Sequence, residues 1–297
     1  MIAVISYPPI PIWDLGPLQM SLHGVFAALG FMVGAVLATR EVRRLGLDAE
    51  AYQSALTWGL IGALLGARYL TTPAALMEGV ALLDALNPIQ GNFSIMGGFA
   101  GGIIAGLIRM RKLNLPVLPT LDASTFGLAI GTVVGRIGDL AIVEHLGQPT
   151  TVAWGYGIKP GYDVAPQHDI LECSAGQALS NGLCPVPSVE SIAGAVEAGA
   201  PGIYHHVAAY DLLGAAVLLG ILYLVSRRFA LPSGRLFFLW VAWYGLQRFV
   251  LDSLRFGLGD ATVGPFTWNQ VSGLVAGVAG IFLMWWVGRR SPATADA

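Results

Sequence analysis

The feature that most constrains this chain is a set of seven apolar stretches, each close to the length a helix needs to cross a bilayer. They run roughly over 19–39, 52–72, 92–108, 117–135, 207–226, 235–252 and 269–288. A helix rises about 1.5 Å per residue, so about 20 residues cross a hydrocarbon core of about 30 Å. Charge content agrees: 11% of the residues are charged, against about 25% in soluble domains. So few charges cannot cover a water-facing surface, which excludes a soluble enzyme and a disordered regulator. A net charge of −2 excludes a basic nucleic-acid binder. The expected fold is all-α: a polytopic membrane protein with seven transmembrane helices in one integral-membrane domain over 1–297. The third stretch opens with Asn92, Ser94 and the glycines Gly97, Gly98, Gly101 and Gly102. Its start is expected in protein or at the interface rather than against lipid.

Basic residues orient the spans. Of the 16 lysines and arginines, most fall in four clusters: Arg40, Arg43, Arg44; Arg109, Arg111, Lys112; Arg227, Arg228, Arg235; and Arg289, Arg290. With seven spans all four clusters share one side, which the positive-inside rule makes cytoplasmic. The N-terminus is then outside and the C-terminus inside. Residues 1–18 have no positive n-region and carry Pro8, Pro9 and Pro11, so they read as an external lead-in rather than a cleavable signal. The long polar stretch Gln148–His206 is an extracytoplasmic head between spans four and five. It holds both cysteines, Cys173 and Cys184. An external pair at this spacing reads as a disulfide closing a small loop, with two free thiols as the alternative. Two cysteines, with His168 the only histidine nearby, supply too few ligands for a metal site.

Five basic residues stand apart from the clusters. Lys159 lies in the head. Arg68, Arg136, Arg248 and Arg255 lie at or near the outer ends of spans two, four and six. One arginine there can snorkel to the headgroups, but several at one depth, with acids at helical spacing, form a pattern. Tyr244, Arg248 and Asp252 follow i, i+4, i+8 and share a helix face. Arg255 stands three residues past Asp252 and competes for it. Arg136 has Asp139 at i+3 and Glu144 eight residues on. A guanidinium is permanently charged and grips phosphate through a planar fork, so these residues suit an anionic lipid headgroup. The alternative is that they pair with carboxylates to hold helices together, and both can hold at once.

The segment Gly135-Arg136-Ile137-Gly138-Asp139, with Glu144 and Gly147 beyond it, resembles the signature of the prolipoprotein diacylglyceryl transferases: GRIGN, then a glutamate and a glycine at the same spacing from the arginine. Further similarities follow in the family's order. Leu15-Gly16-Pro17-Leu18 resembles its lead-in, Gly66-Ala67-Arg68 its arginine motif ending the second span, and Asp122 the aspartate opening the fourth. His205 and Tyr210-Asp211 resemble its HP(S/T)QLYE run. Tyr244-Gly245 with Arg248 and Asp252 resembles its YG..R...E motif, and Gln270 with Ser272 its GQ..S. The departures are local. Met96-Gly97-Gly98 stands for the family's HGG, His23 for its first-span tyrosine, Asp139 for the asparagine of GRIGN, and Asp252 for a glutamate.

The resemblance implies transfer of diacylglyceryl from phosphatidylglycerol to the lipobox cysteine thiol of a prolipoprotein, in the bacterial cytoplasmic (inner) membrane. Arg136 and Arg248 would hold the phosphate, oriented by Glu144 and Asp252, and Tyr244 would bond the headgroup. Arg68, Asp139 and a turn at Met96-Gly97-Gly98 would complete substrate binding. A thiol of pKa about 8.5 needs a base. With Met96 in place of the family's histidine, His23 is the candidate, and a histidine hydrogen-bonded between helices is its alternative; His205 and His206 are further candidates. No P-loop, dinucleotide fingerprint or metal motif is present, so no cofactor is expected. A homologous membrane protein with another lipid donor or acceptor, or one that binds anionic lipid without catalysis, is the alternative function. A retinal protein fails because neither Lys112 nor Lys159 lies in a span.

Overall fold

The computed structural model describes residues 5–11, 13–15, 18–69, 72, 76, 79–86, 95–144, 146–164, 171, 173–187, 196–255 and 262–290. Gly16, Pro17, Asn92, Ser94 and His168 fall outside them. A hairpin of β1 (Trp13–Leu15) and β2 (Leu18–Met20) precedes α1 (Leu22–Arg44). Then come α2 (Ala49–Tyr69), a single turn α3 (Leu82–Ala85), α4 (Ile95–Lys112) and α5 (Val117–Ile142). The short strands β3 (Tyr156–Gly157) and β4 (Ile203–Tyr204) pair antiparallel across the polar stretch. Finally α6 (Val207–Arg228) and α7 (Arg235–Asp252) lead through β5 (Thr262–Val263) and β6 (Phe266–Thr267) to α8 (Trp268–Arg290).

Among the described residues each of the seven apolar stretches holds one long helix, the first preceded by Gln19 and Met20 in β2. Among the described residues four helices, α1, α5, α6 and α8, are long and apolar enough to cross a membrane. The other three are more polar for legible reasons: α2 is rich in glycine and alanine, α4 ends in Arg109, Arg111 and Lys112, and α7 carries Arg235, Arg248 and Asp252. The chain is a polytopic, mostly helical membrane protein. Its surface is inverted relative to a soluble fold: along α6, Leu213, Val217 and Leu224 are exposed while Asp211 is buried. In lipid the apolar face needs no cover, and the ionisable group must turn inward.

The chain divides into two compact units, residues 35–125 and the remainder. Within the first, α2 and α4 pack through facing glycines. A Cβ on Gly66 would run into the carbonyl oxygen of Gly97, so side chains there would force the backbones apart. Met96-Gly97-Gly98 is therefore not the turn expected from the sequence. It lies in the first turn of α4, and the glycines serve close helix packing. In the other unit, α7 and α8 pack closely, Gly245 against Gly273 and Gly277.

The polar stretch builds a small head around Tyr156, Ile158, Val164, Cys173, Cys184 and Tyr204, with Cys173 and Cys184 bonded as a disulfide. The head is wider than 148–206. Val143 and Leu146 sit in its core, and Tyr7 of the lead-in packs against it. Ile5 pairs with Tyr156 as a parallel bridge, so the lead-in is part of the head.

Candidate functional site

The site is assembled where α1, α5, α6 and α7 end near the head. On α5, Arg136 and Asp139 are one turn apart, and Arg136 Nη1 donates to Asp139 Oδ2 at 2.5 Å. Helix α1 is laid against this turn by Gly138, whose missing Cβ would meet Leu22 O at 2.7 Å and His23 Cα at 3.0 Å. That contact sets His23 Nδ1 against Asp139 Oδ1, and within 2.9 Å of Glu144 Oε2.

Glu144 reaches His23 because of how α5 stops. Glu144 N–H bonds Asp139 O at 2.9 Å and Val143 N–H approaches Leu140 O at 3.3 Å, the bonding pattern of a Schellman cap. Its left-handed position, usually a glycine, is taken by Val143 at φ 53°. A β-branched residue there costs about 1–3 kcal/mol. Burial of the Val143 side chain in the head core offsets that cost. The same residue thus ends the helix, anchors the head and turns Glu144 back toward α1.

Arg136 also reaches α6 and α7. Its Nη2 lies 3.0 Å from Asp211 Oδ2 and 3.5 Å from the Tyr244 hydroxyl. Asp211 is held from the other side by Gln247, whose Nε2 donates to Asp211 Oδ1 at 2.7 Å. Arg136 is therefore enclosed by carboxylates.

The arginine on α7 is placed differently. Asp252, with its side chain 1% exposed, takes Arg255 Nη1 at 2.9 Å, while Arg248 Nη2 stays 3.8 Å away. The hydroxyl of Thr267 donates to the other Asp252 oxygen. Thr267 also caps α8 in a reciprocal box: Gln270 N–H bonds Thr267 Oγ1 at 3.1 Å, and Thr267 N–H bonds Gln270 Oε1 at 2.9 Å. Among the described residues Arg248 donates no hydrogen bond, and it lies within electrostatic reach of Arg136, Arg255 and Tyr244.

Gly147 ties these ends to the head. Its N–H bonds His205 O, Gln148 N–H bonds Leu254 O, and a Cβ on Gly147 would meet His205 Cβ at 2.5 Å and Leu254 O at 2.7 Å. Next in the chain, His206 is buried between Tyr7 and Tyr156. The Tyr7 hydroxyl donates to Leu140 O at 2.6 Å and lies 2.8 Å from His206 Nε2. With its one proton given to Leu140, Tyr7 accepts from Nε2–H, and His206 Nδ1 is the bare nitrogen. Burial lowers the pKa of His206 to about 4 and raises that of Tyr7 to about 12.

Residues 11–286 match the sequence family described as prolipoprotein diacylglyceryl transferase. The chain belongs to this family. A Thermus thermophilus relative is 30% identical over 253 residues, covering 80% of this chain and 81% of its own. One from Mycobacteroides abscessus is 26% identical, covering 99% and 82%. One from Frankia alni is 27% identical over 88% of this chain, but only 62% of its own length is spanned. All three are named phosphatidylglycerol–prolipoprotein diacylglyceryl transferase.

Set beside the family's motifs, the structure gathers His23, Arg136, Asp139, Glu144, Tyr244, Arg248 and Asp252 within one compact unit. Glu144, expected to orient Arg136, has its carboxylate at His23, and Asp211 is the second acid on Arg136. Arg68, Gly97 and Gly98 belong to the other unit. There Arg68 is buried and donates to Ala85 O at 2.9 Å. Sequence reasoning quoted Asp211 only within a motif and passed over Gln247 and Thr267. Asp211 had a usable signal, an acid near the start of an apolar span. Thr267 had one too, as the start of a T-x-x-Q capping box. For metal binding, His23, Asp139 and Glu144 offer ligand atoms within 4.8 Å of one another. His23 Nδ1 here hydrogen-bonds Asp139 and lies 2.9 Å from Glu144 Oε2.

Proposed function

We propose that this chain transfers the diacylglyceryl group of phosphatidylglycerol to the lipobox cysteine of a prolipoprotein, as its relatives are named for doing. It would act in the bacterial cytoplasmic membrane as one integral-membrane domain of seven spans, N-terminus and head outside, C-terminus inside. The four basic clusters support that orientation.

The observation that carries the reading is Arg248: a side chain 19% exposed, with no hydrogen bond among the described residues and only a shared acid 3.8 Å away. An arginine left so lightly bonded near the end of an apolar helix is poised for an anion. In the reaction a carbon–sulfur bond forms at the glyceryl carbon as its bond to the phosphate oxygen breaks. The phosphodiester leaves as glycerol phosphate, gaining one negative charge, and Arg248 stabilises that charge as it develops. Arg136, fixed by Asp139 and Asp211, presents the Tyr244 hydroxyl to the headgroup.

His23 takes the thiol proton. Its Nδ1 faces Asp139 and Glu144, so that Nε2 is the acceptor once the ring is neutral, the arrangement by which a carboxylate orients a histidine base. Half of the His23 side chain is exposed, so Nε2 can meet a substrate.

The test supplies purified protein with phosphatidylglycerol and a lipobox peptide, following peptide mass and glycerol phosphate release. A diacylglyceryl mass gain, lost in Arg248→Ala, supports the reading. Intact peptide and no release from folded protein would refute it.

A further inference from the structure

The polar chain that ends on Arg136 continues past Asp211 into α7, through Gln247, at an unspecified position of the YG..R...E motif, and Trp243 just before it. Gln247 bonds Asp211 twice, through the side-chain oxygen Oδ1 at 2.7 Å and the backbone oxygen at 3.1 Å. Its amide could be turned either way, and Trp243 decides which. The indole N–H can only donate, so the atom it meets at 2.7 Å is Gln247 Oε1, which turns Nε2 toward Asp211. The same indole N–H lies 3.2 Å from Gly214 O. Gly214 makes the space: a Cβ there would stand 2.5–2.6 Å from the carbon and nitrogen of the Gln247 amide. Gly214 is one turn along α6 from Asp211, on the same face.

Asp211 thus gives one oxygen to Gln247 and the other to Arg136 Nη2 at 3.0 Å. An aspartate side chain bonded through one oxygen alone can rotate; pinned at both, it holds Arg136 at a fixed angle. We propose that Gln247, oriented by Trp243 in the notch at Gly214, is a positioning residue that sets Arg136 through Asp211. The proposal rests on the transferase reading for its activity readout. It predicts a defect in use of the lipid and none in recognition of the peptide.

The variants are made in full-length protein with phosphatidylglycerol and a lipobox peptide. Losing a hydrogen bond to a charged group corresponds to about 10- to 100-fold. Gln247→Leu is expected to lower kcat/KM for the lipid by that factor, with the peptide KM unchanged. Gln247→Glu keeps the shape but puts a carboxylate against Asp211. Its activity should be low at pH 8 and recover as the pH falls and the new acid gains a donor proton. Gly214→Ala should resemble Gln247→Leu. In an Asp211→Asn background Gln247→Leu should cost nothing further, because its effect passes through Asp211.

A wild-type lipid kcat/KM in Gln247→Leu, or full additivity with Asp211→Asn, would overturn the proposal. Should Gln247→Leu fail to fold, the pH recovery of Gln247→Glu decides. Binding of a dansyl-labelled phosphatidylglycerol is measured in the same proteins. If the wild type turns nothing over, the transferase reading fails. Non-additive loss of dansyl-lipid binding in Gln247→Leu and Asp211→Asn then upholds the positioning role, and unchanged or additive binding rejects it.

Discussion

Two arginines stand near each other in this protein and are furnished in opposite ways. Arg136 is one guanidinium facing two carboxylates, Asp139 and Asp211. At Asp252 one carboxylate faces two guanidiniums, with Arg255 close and Arg248 held off. The first arrangement is saturated and holds helices together. The second leaves positive charge in hand, which an incoming phosphate can neutralise. On the proposed reading, identical residue types divide the work by stoichiometry: Arg136 would build the site and Arg248 would receive the anion.

The strongest attempt to break that contrast is Arg248→Gln. Removing the positive charge proposed to meet the leaving phosphate should reduce glycerol phosphate release by on the order of 10³-fold, with the unfolding temperature nearly unchanged. Arg136→Gln should do the reverse in kind, lowering the unfolding temperature in detergent because Asp139 and Asp211 lose their partner. A buried pair broken on one side costs about 3–5 kcal/mol. If both variants lost activity alone and kept full stability, the division of roles would be wrong.

His23→Gln comes next. It removes the proposed base and leaves both arginines in place, so turnover should drop about 10²-fold while binding of labelled phosphatidylglycerol persists. A variant with full turnover would make His23 a packing histidine. Arg255→Gln sharpens the comparison from the other side. With Arg255 gone, Asp252 has only Arg248 as a cation among the described residues and should close onto it. The KM for phosphatidylglycerol is then expected to rise about tenfold, an ion-pair competition of about 1.4 kcal/mol.

A separate effect is set by pH, and it falls on the head. His206 is held neutral by burial, with its pKa lowered to about 4, against about 6.5 in an unfolded chain. Between those values the unfolded chain binds a proton that the folded chain does not. The stability from this group is therefore complete above about pH 6.5 and falls as the pH drops toward 4, by up to about 3 kcal/mol. Arginines do not titrate in this range. Thermal unfolding at pH 7 and pH 4.5 should show the loss, and His206→Gln, which can still bond Tyr7, should flatten it.

Much of this site was legible in the sequence because helical periodicity is rigid. Arg136 with Asp139 and Arg248 with Asp252 are local pairs, and a helix places residues three or four apart on one face whatever surrounds it. Arg255, three residues past Asp252, was legible as a rival for the same reason. The partners of His23 were not, because they depend on where α1 crosses α5, and that is set by Gly138. Asp211 was hidden likewise, since its distance from Arg136 is a property of how α6 packs. The head was bounded by its polarity, but the part played by Ile5 and Tyr7 was invisible, because strand pairing across so long a separation leaves no periodic trace.

What the sequence determined by itself is the class of molecule and the family: apolar lengths, charge placement and motif spacing are properties of the chain in one dimension. Which arginine is saturated and which is open, how Glu144 turns onto His23, and how Gln247 pins Asp211 were decided by tertiary structure alone. Those depend on the closest approach of helix backbones and on a Val143 forced into a left-handed cap, and both are settled only when separate segments compete for the same space.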